Sequence, residues 1–158
     1  GMKNIHSALD NRETEAWQKL IRVLTHEIMN SITPIISLTD LHLSLPNIPL
    51  RLIADKEQVE QVLINLIRNA RENEATQITL SAGITPGDHL FLRVTDNGTG
   101  IDPEVQERIF IPFFTTKPTG SGIGLTISRQ IMHQHHGSIT VQSKVGEGSM
   151  FTLLFPIV

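Results

Sequence analysis

The sequence contains no cysteine, and this absence removes several kinds of chemistry at once. Disulfides, a thiolate nucleophile and any zinc site built on cysteine are excluded. The lack of cysteine fits a reducing compartment, so we expect a cytoplasmic location. No apolar run approaches the roughly 20 residues of a membrane-spanning helix. Any membrane connection is therefore expected in parts of a longer protein outside this sequence.

Basic charge is also scarce. The formal net charge is -3 and no block of Lys or Arg stands out, so the electrostatic footprint of a nucleic-acid-binding protein is missing. We therefore do not expect nucleic acid as a partner. The 158 residues, 39% of them hydrophobic, suffice for one domain with an appendage. Gly1 ahead of Met2 is typical of an expression remnant, and we expect a piece of a longer protein.

Two glycine-rich clusters mark the most informative stretch of the chain. Residues 96–100 (DNGTG) end an apolar run, and residues 120–124 (GSGIG) precede a helical pattern. Glycines just before a helix let backbone N–H groups cradle an anion such as a phosphate chain, although turns and helix caps also use glycine. Asp96 adds an acceptor for an exocyclic amine such as that of adenine. Together, the two clusters and Asp96 indicate a nucleotide site.

A long helix is predicted from about Arg12 to Asp40, because apolar residues recur at alternating spacings of four and three. The seam comprises Trp17, Ile21, Leu24, Ile28, Ser31, Ile35 and Leu38, with Ser31 as its one polar interruption. Such a seam is typical of one helix of a hairpin or bundle, or of an amphipathic helix packed on its own domain. Pro34 removes a backbone hydrogen bond and should bend the helix.

His26 faces away from this seam and is predicted to be exposed, with Glu27 beside it and Asn30 one turn further on. An exposed histidine is most often an ordinary surface residue. Its imidazole can nevertheless attack phosphorus, and a neighbouring carboxylate can take the imidazole proton.

A second helix is predicted to begin at Asp55, with Gln58 completing a capping box. Its apolar stripe comprises Val59, Val62, Leu63, Leu66, Ile67 and Ala70. Asn65 and Asn69 lie one turn apart at the edge of this stripe. Their amide oxygens suit a hard cation such as Mg²⁺, or they make hydrogen bonds at the edge of the core.

Strands are predicted at 41–46, 77–84, 90–95, 138–144 and 150–156, and a third helix at about 123–136 with Gly137 as its cap. Three histidines (His133, His135 and His136) end this helix. They could bind a metal, but a helix C-terminus favours positive side chains, which is the simpler explanation.

Five motifs in order, HEIMN, NLIRN, DNGTGI, FIPFFTTK and GSGIGL, resemble the phosphoacceptor, N, G1, F and G2 boxes of bacterial sensor histidine kinases. The resemblance covers roughly residues 24–156. It implies an α+β protein: a two-layer α/β sandwich of the Bergerat type, with a mixed sheet, helices on one face, and ATP held with Mg²⁺ under a flexible lid. It also implies an ATP-dependent histidine kinase that passes its phosphoryl group to a response regulator.

The resemblance carries roles onto individual residues. It makes His26 the phosphoacceptor, Glu27 the acceptor of its proton, and Asn30 a residue that assists the reverse, phosphatase reaction. It makes Asn69 the Mg²⁺ ligand and Asp96 the reader of adenine. The remaining implied contacts to ATP or the lid are Asn65, Gly98, Gly100, Phe113, Phe114, Lys117, Gly122, Gly124 and Ser149.

Two segments are shorter than in the family. No second helix follows the first, and the link between Asn73 and Gln77 is brief. We expect that residues are missing from the sequence here, although a real deletion is the alternative. The predicted domains are a partial dimerisation and phosphoacceptor helix at 1–40 and an ATP-binding domain at 41–158. A homodimer is expected for the full-length protein.

Two other functions use the same motifs. A gyrase- or Hsp90-like ATPase is the first, but those relatives carry glutamate at the position of Asn65, and an amide cannot act as a general base. The second is a module that only senses ATP or only removes phosphate from a partner.

Overall fold

The computed structural model describes residues 21–32, 40–46, 50–112 and 124–156. The helices and strands are β1 (Ile21–Leu24), α1 (Thr25–Ile32), β2 (Asp40–Ser44), β3 (Arg51–Ala54), α2 (Lys56–Glu72), β4 (Gln77–Ile84), β5 (His89–Asp96), α3 (Pro103–Gln106), α4 (Gly124–Gln134), β6 (Ser138–Lys144) and β7 (Gly148–Pro156).

Five strands form one mixed sheet in the order β2-β4-β5-β7-β6. β2 runs parallel to β4, and the other neighbours are antiparallel. A separate antiparallel pair joins β1 to β3. This arrangement confirms the predicted α+β fold with a mixed sheet.

One face of the sheet is apolar because its strands alternate in the expected period of two. In β5 the side chains of Leu90, Leu92 and Val94 are buried, and the residues between them are only partly buried. Phe151 and Phe155 of β7 continue the same pattern. These side chains share one core cluster with the apolar stripe of α2, so the helices cover this face of the sheet.

α2 begins where the sequence predicts. The Asp55 side chain caps the helix by accepting the backbone N–H of Gln58 (3.2 Å), and all six predicted stripe residues are buried. The return half of the capping box differs from the prediction, because the Asp55 backbone N–H donates to Nε2 of His135 (3.0 Å). A histidine 80 positions away in sequence therefore completes this helix start.

His135 is a buried structural residue, which corrects the explanation based on helix charge. Its Nδ1 lies 2.7 Å from the carbonyl oxygen of Ile131, which can only accept, while its Nε2 accepts from Asp55. The ring is therefore the neutral tautomer with the hydrogen on Nδ1. Both ring nitrogens serve the junction between α4 and α2.

The left-handed cap of α4 lies one residue earlier than predicted. His136, with φ of 57°, takes the left-handed position, and its N–H donates to the carbonyl of His133 (3.0 Å). The Gly137 N–H donates to the carbonyl of Met132 (2.9 Å), which completes a Schellman motif. Gly137 is needed for a different reason: a Cβ there would lie 2.1 Å from the Leu154 carbonyl oxygen.

The predicted long first helix is wrong at two places within the described residues, Ile21–Leu24 and Asp40. Ile21–Leu24 form strand β1, paired with β3, and Asp40 already belongs to β2. Two β-branched residues, Ile21 and Val23, suit a strand, and pairing with β3 overrides the helical spacing. Only Thr25–Ile32 is helical among the described residues of this region, and the remaining seam positions lie outside them.

α1 packs into the same core as the sheet. Its buried side chains Ile28, Met29 and Ile32 belong to the core cluster, and Ser31 donates a hydrogen bond to Glu60 of α2. The predicted domain boundary after residue 40 stays a prediction.

Candidate functional site

Asp96, Ser149 and Ser143 form a row across three neighbouring strands. Asp96 of β5 lies opposite Ser149 of β7, and Ser149 lies opposite Ser143 of β6. Opposite side chains share a face of the sheet. Val94 and Phe151, two residues from members of the row, are buried against the helices, so this Asp96 row (Asp96, Ser149 and Ser143) continues the helix-covered face.

The carboxylate of Asp96 is held in a fixed orientation. Its Oδ1 accepts the backbone N–H of Gly98 (2.8 Å) and, across the sheet, the backbone N–H of Ser149 (3.3 Å). The residue is 7% exposed, so the carboxylate sits at a buried strand end. Such an oriented acceptor suits a ligand that donates a hydrogen bond.

Gly98 and Gly100 are required by close backbone packing rather than by open space for a ring. A Cβ on Gly98 would lie 2.5 Å from the Asn73 carbonyl oxygen. Gly100 has φ of +76°, and a Cβ there would lie 2.2 Å from the Lys144 carbonyl oxygen. The loop after β5 is thus pressed against the end of α2 on one side and the β6–β7 turn on the other.

Asn97 anchors this loop, a role that the sequence reasoning missed. Its Oδ1 accepts the backbone N–H groups of Thr76 and Gln77, both at 2.9 Å, and its Nδ2 donates to the Thr76 hydroxyl (2.9 Å). The tendency of asparagine to bond nearby backbone in turns was the available signal. The brief link before β4 is therefore closed by hydrogen bonds, with Glu74 in the left-handed conformation (φ of 66°).

Asn65 connects α2 to the start of α4. Its Nδ2 donates to the Gly124 carbonyl oxygen (3.4 Å), which also accepts the Ser128 hydroxyl (2.9 Å). Asn69 lies one turn further along the same edge of α2 and is partly buried. The structure therefore brings Asn65 next to Gly124, the last residue of the second glycine cluster.

Hydrogen bonding also joins the two sides of the segment 113–123. The Thr126 hydroxyl of α4 donates to the Phe110 carbonyl oxygen (3.2 Å), and the Arg129 guanidinium lies 6.0 Å from the centre of the Phe110 ring. The predicted contacts Phe113, Phe114, Lys117 and Gly122 lie outside the described residues.

His26, Glu27 and Asn30 are exposed on α1, opposite its buried side chains, which confirms the predicted exposure of His26. The described ranges 21–32, 40–46, 50–112 and 124–156 contain no group of three His, Asp or Glu side chains arranged to hold a metal.

The fold and the Asp96 row agree with a match to a known family. Residues 54–158 match the family model described as histidine kinase-, DNA gyrase B- and HSP90-like ATPase, and the chain belongs to this family. Within the family, the chain is similar to sensor histidine kinase ZraS of Salmonella typhi, with 42% identity over 110 residues. That alignment covers 68% of this chain and 24% of ZraS.

Similarity to histidine kinases extends through the N-terminal segment. Sporulation kinase C of Bacillus subtilis is 29% identical over 168 residues, an alignment that covers 99% of this chain and 39% of the relative. This chain thus spans between about a quarter and two fifths of the length of these two relatives.

Solved structures give the same picture of the fold. The catalytic domain of histidine kinase ThkA superposes with a TM-score of 0.77 at 29% identity, covering 87% of this chain and 95% of that one. Full-length ShkA in complex with AMPPNP superposes with a TM-score of 0.77 at 26% identity, covering 87% of this chain and 31% of that one. Within the described part of this chain, no helix has the length and apolar character needed to span a membrane.

Proposed function

We propose that this chain is the catalytic region of a sensor histidine kinase. It binds ATP with Mg²⁺, transfers the γ-phosphoryl group to His26, and serves a pathway in which the aspartate of a response regulator receives that group. In the first transfer a nitrogen–phosphorus bond forms at His26, the bond from the γ-phosphorus to its bridging oxygen breaks, and ADP leaves. Glu27 takes the imidazole proton, and Asn30 assists the reverse, phosphatase reaction.

The observation that carries the proposal is the combination of Asn65 beside Gly124 with an exposed His26 on α1. A hydrolytic ATPase must activate water, and a side-chain amide has no basic group for that task. The similarity to ZraS and sporulation kinase C, both named as kinases, supports the same choice.

The proposed ATP site has two parts, one around the base and one around the phosphates. Asp96 accepts the exocyclic amine of adenine, with Gly98, Gly100 and Ser149 around the base. Gly122, Gly124 and Lys117 contact the phosphates. These roles come from the family motifs, and the fixed Asp96 carboxylate supports the first of them.

Asn69 is the proposed Mg²⁺ ligand, with Asn65 nearby. The donor set fits, because amide oxygens are hard ligands, Asn65 contacts Gly124 at the end of the second glycine cluster, and Asn69 lies one turn further along α2. When bound, the ion neutralises phosphate charge during transfer. The protein contributes the orientation of these amides.

The proposed partners follow from the same assignment. They are ATP, a receiver domain of a response regulator, and a second copy of the full-length protein in a homodimer, in the cytoplasm or on the cytoplasmic side of a membrane-anchored sensor. An ATP-sensing or phosphatase-only module is the competing function. It would bind ATP equally well but would not label His26.

Autophosphorylation of the full-length protein with labelled ATP tests the proposal. His26→Gln should abolish incorporation and leave ATP binding unchanged, whereas His133→Gln, an exposed histidine at the end of α4, should label like the parent. The product should be labile in acid and persist in alkali, as a phosphoramidate does. Glu27→Gln should slow incorporation by about 10²–10⁴-fold, the usual contribution of a positioned base.

Incorporation that survives in His26→Gln would overturn the assignment of the acceptor. A parent protein that binds ATP and never becomes labelled would favour the ATP-sensing module. A parent that releases phosphate into solution without labelling any histidine would favour the ATPase.

A further inference from the structure

Ser143 is the member of the Asp96 row for which the family motifs give no role. Its side chain lies among three polar groups on two parts of the chain. Its Oγ lies 2.7 Å from the Ile101 backbone nitrogen, 3.0 Å from the Gly148 carbonyl oxygen and 2.7 Å from the Ser149 Oγ. Its own carbonyl oxygen accepts Nε2 of Gln106 (3.1 Å).

The chemistry of these partners fixes the direction of each hydrogen bond. A serine hydroxyl has one hydrogen to donate and two lone pairs. The Ile101 N–H can only donate to Ser143, and the Gly148 carbonyl can only accept from it. The single Ser143 hydrogen therefore points to Gly148, and the Ser149 hydroxyl must donate its hydrogen to Ser143. The Ser149 hydroxyl can therefore only accept a hydrogen bond from any further group.

Ser149 stands between Ser143 and Asp96 in the row, and its backbone N–H already bonds Asp96 Oδ1. With its hydrogen committed to Ser143, the Ser149 hydroxyl can only accept a hydrogen bond from a ligand. Two acceptors, a carboxylate and a hydroxyl oxygen, then border the same buried strand end. Such a pair attracts an amino group and repels a carbonyl group.

We infer that Ser143 is a positioning residue that determines nucleotide specificity: it holds the Ser149 hydroxyl as an acceptor, so that the site selects a 6-aminopurine over a 6-oxopurine. The inference rests on the proposed function, because it takes the base of ATP to bind at Asp96. Ser143 itself does not touch the base in this account. It acts through Ser149.

Removal of the Ser143 hydroxyl should release this constraint. In Ser143→Ala the Ser149 hydroxyl loses its acceptor and can rotate to donate a hydrogen bond, which a 6-oxo group would accept. The loop also loses the bond at the Ile101 N–H, so a general loss of stability is expected as well. The test must therefore measure selectivity, which a merely loosened fold does not alter in a defined direction.

Inosine triphosphate is the suitable probe, because it replaces the 6-amino group of ATP with an oxo group and keeps the ribose and phosphates. Dissociation constants for ATP and inosine triphosphate would be measured by calorimetry on the full chain. In Ser143→Ala the preference for ATP should fall by about three- to tenfold, the effect of one neutral hydrogen bond. Ser143→Thr, which keeps the hydroxyl, should restore the preference.

Val141→Ala is the matched control for stability. Val141 lies two residues before Ser143 on β6, on the same face, and packs against the core without joining the row. It should lower the melting temperature and leave the preference for ATP unchanged.

An unchanged preference in Ser143→Ala, or an equal loss in Val141→Ala, would overturn the inference. Failure of the proposed function has a different signature. In that case the parent would not bind ATP, or Asp96→Asn would bind it as tightly as the parent. If the parent binds ATP through Asp96 while Ser143→Ala keeps full selectivity, only the role of Ser143 is wrong.

Discussion

Replacement of Asp96 by asparagine is the smallest change that separates the fold of the site from its proposed recognition of adenine. The amide oxygen of asparagine can still accept the backbone N–H groups of Gly98 and Ser149, which now bond Asp96 Oδ1 at 2.8 and 3.3 Å. The turn after β5 should therefore keep its geometry. The amide nitrogen then replaces the second carboxylate oxygen, so a donor stands where the carboxylate would accept.

The expected loss of ATP affinity follows from the burial of Asp96. Asp96 is 7% exposed, so water cannot readily replace a lost partner of the base. A hydrogen bond to a charged group contributes about 1.5–3 kcal/mol, and a donor facing the amine of adenine adds repulsion. We expect ATP affinity to fall by at least about tenfold and by as much as a hundredfold.

Calorimetric titration of ATP into parent and variant measures this change, and thermal unfolding without nucleotide checks the fold. Asp88→Asn provides a matched control, because Asp88 is an exposed turn residue with φ of 58°, a conformation that asparagine also adopts. The control should bind ATP like the parent. Unchanged affinity in Asp96→Asn would show that adenine is read elsewhere.

Two further predictions concern the metal and the backbone. In Asn69→Ala, ATP affinities measured with and without Mg²⁺ should differ much less than in the parent, and an undiminished Mg²⁺ effect would remove Asn69 from the metal site. Glu74→Gly should raise the free energy of unfolding by up to about 1 kcal/mol, because glycine relieves the left-handed conformation at φ of 66°. By contrast, Arg68→Gly, exposed within α2, should lower it by about 1 kcal/mol, and chemical denaturation of both variants should give opposite signs.

The sequence alone determined those parts of the fold that depend on residues close together in the chain. The apolar stripe of α2, its Asp55 cap and the hairpins β4–β5 and β6–β7 follow from short-range periodicity and turn residues, whereas the mixed sheet was implied by the family resemblance. The order of five motifs also indicated the family that the match to residues 54–158 established. These features are readable because each depends on spacings of a few residues.

Contacts between distant segments decided the rest. Ile21–Leu24 fits a helical seam by spacing, yet pairing with β3 makes it a strand. By its position in the sequence, His135 was interpreted as a positive side chain at a helix C-terminus. In the structure it is buried, and its ring accepts a hydrogen bond from the Asp55 N–H, 80 positions away. Ser143 carries no signal in a single sequence, because its importance arises from the strand register that sets it opposite Ser149. Strand register and helix docking depend on how buried polar groups pair over the whole domain. Short-range sequence patterns do not specify those distant pairings.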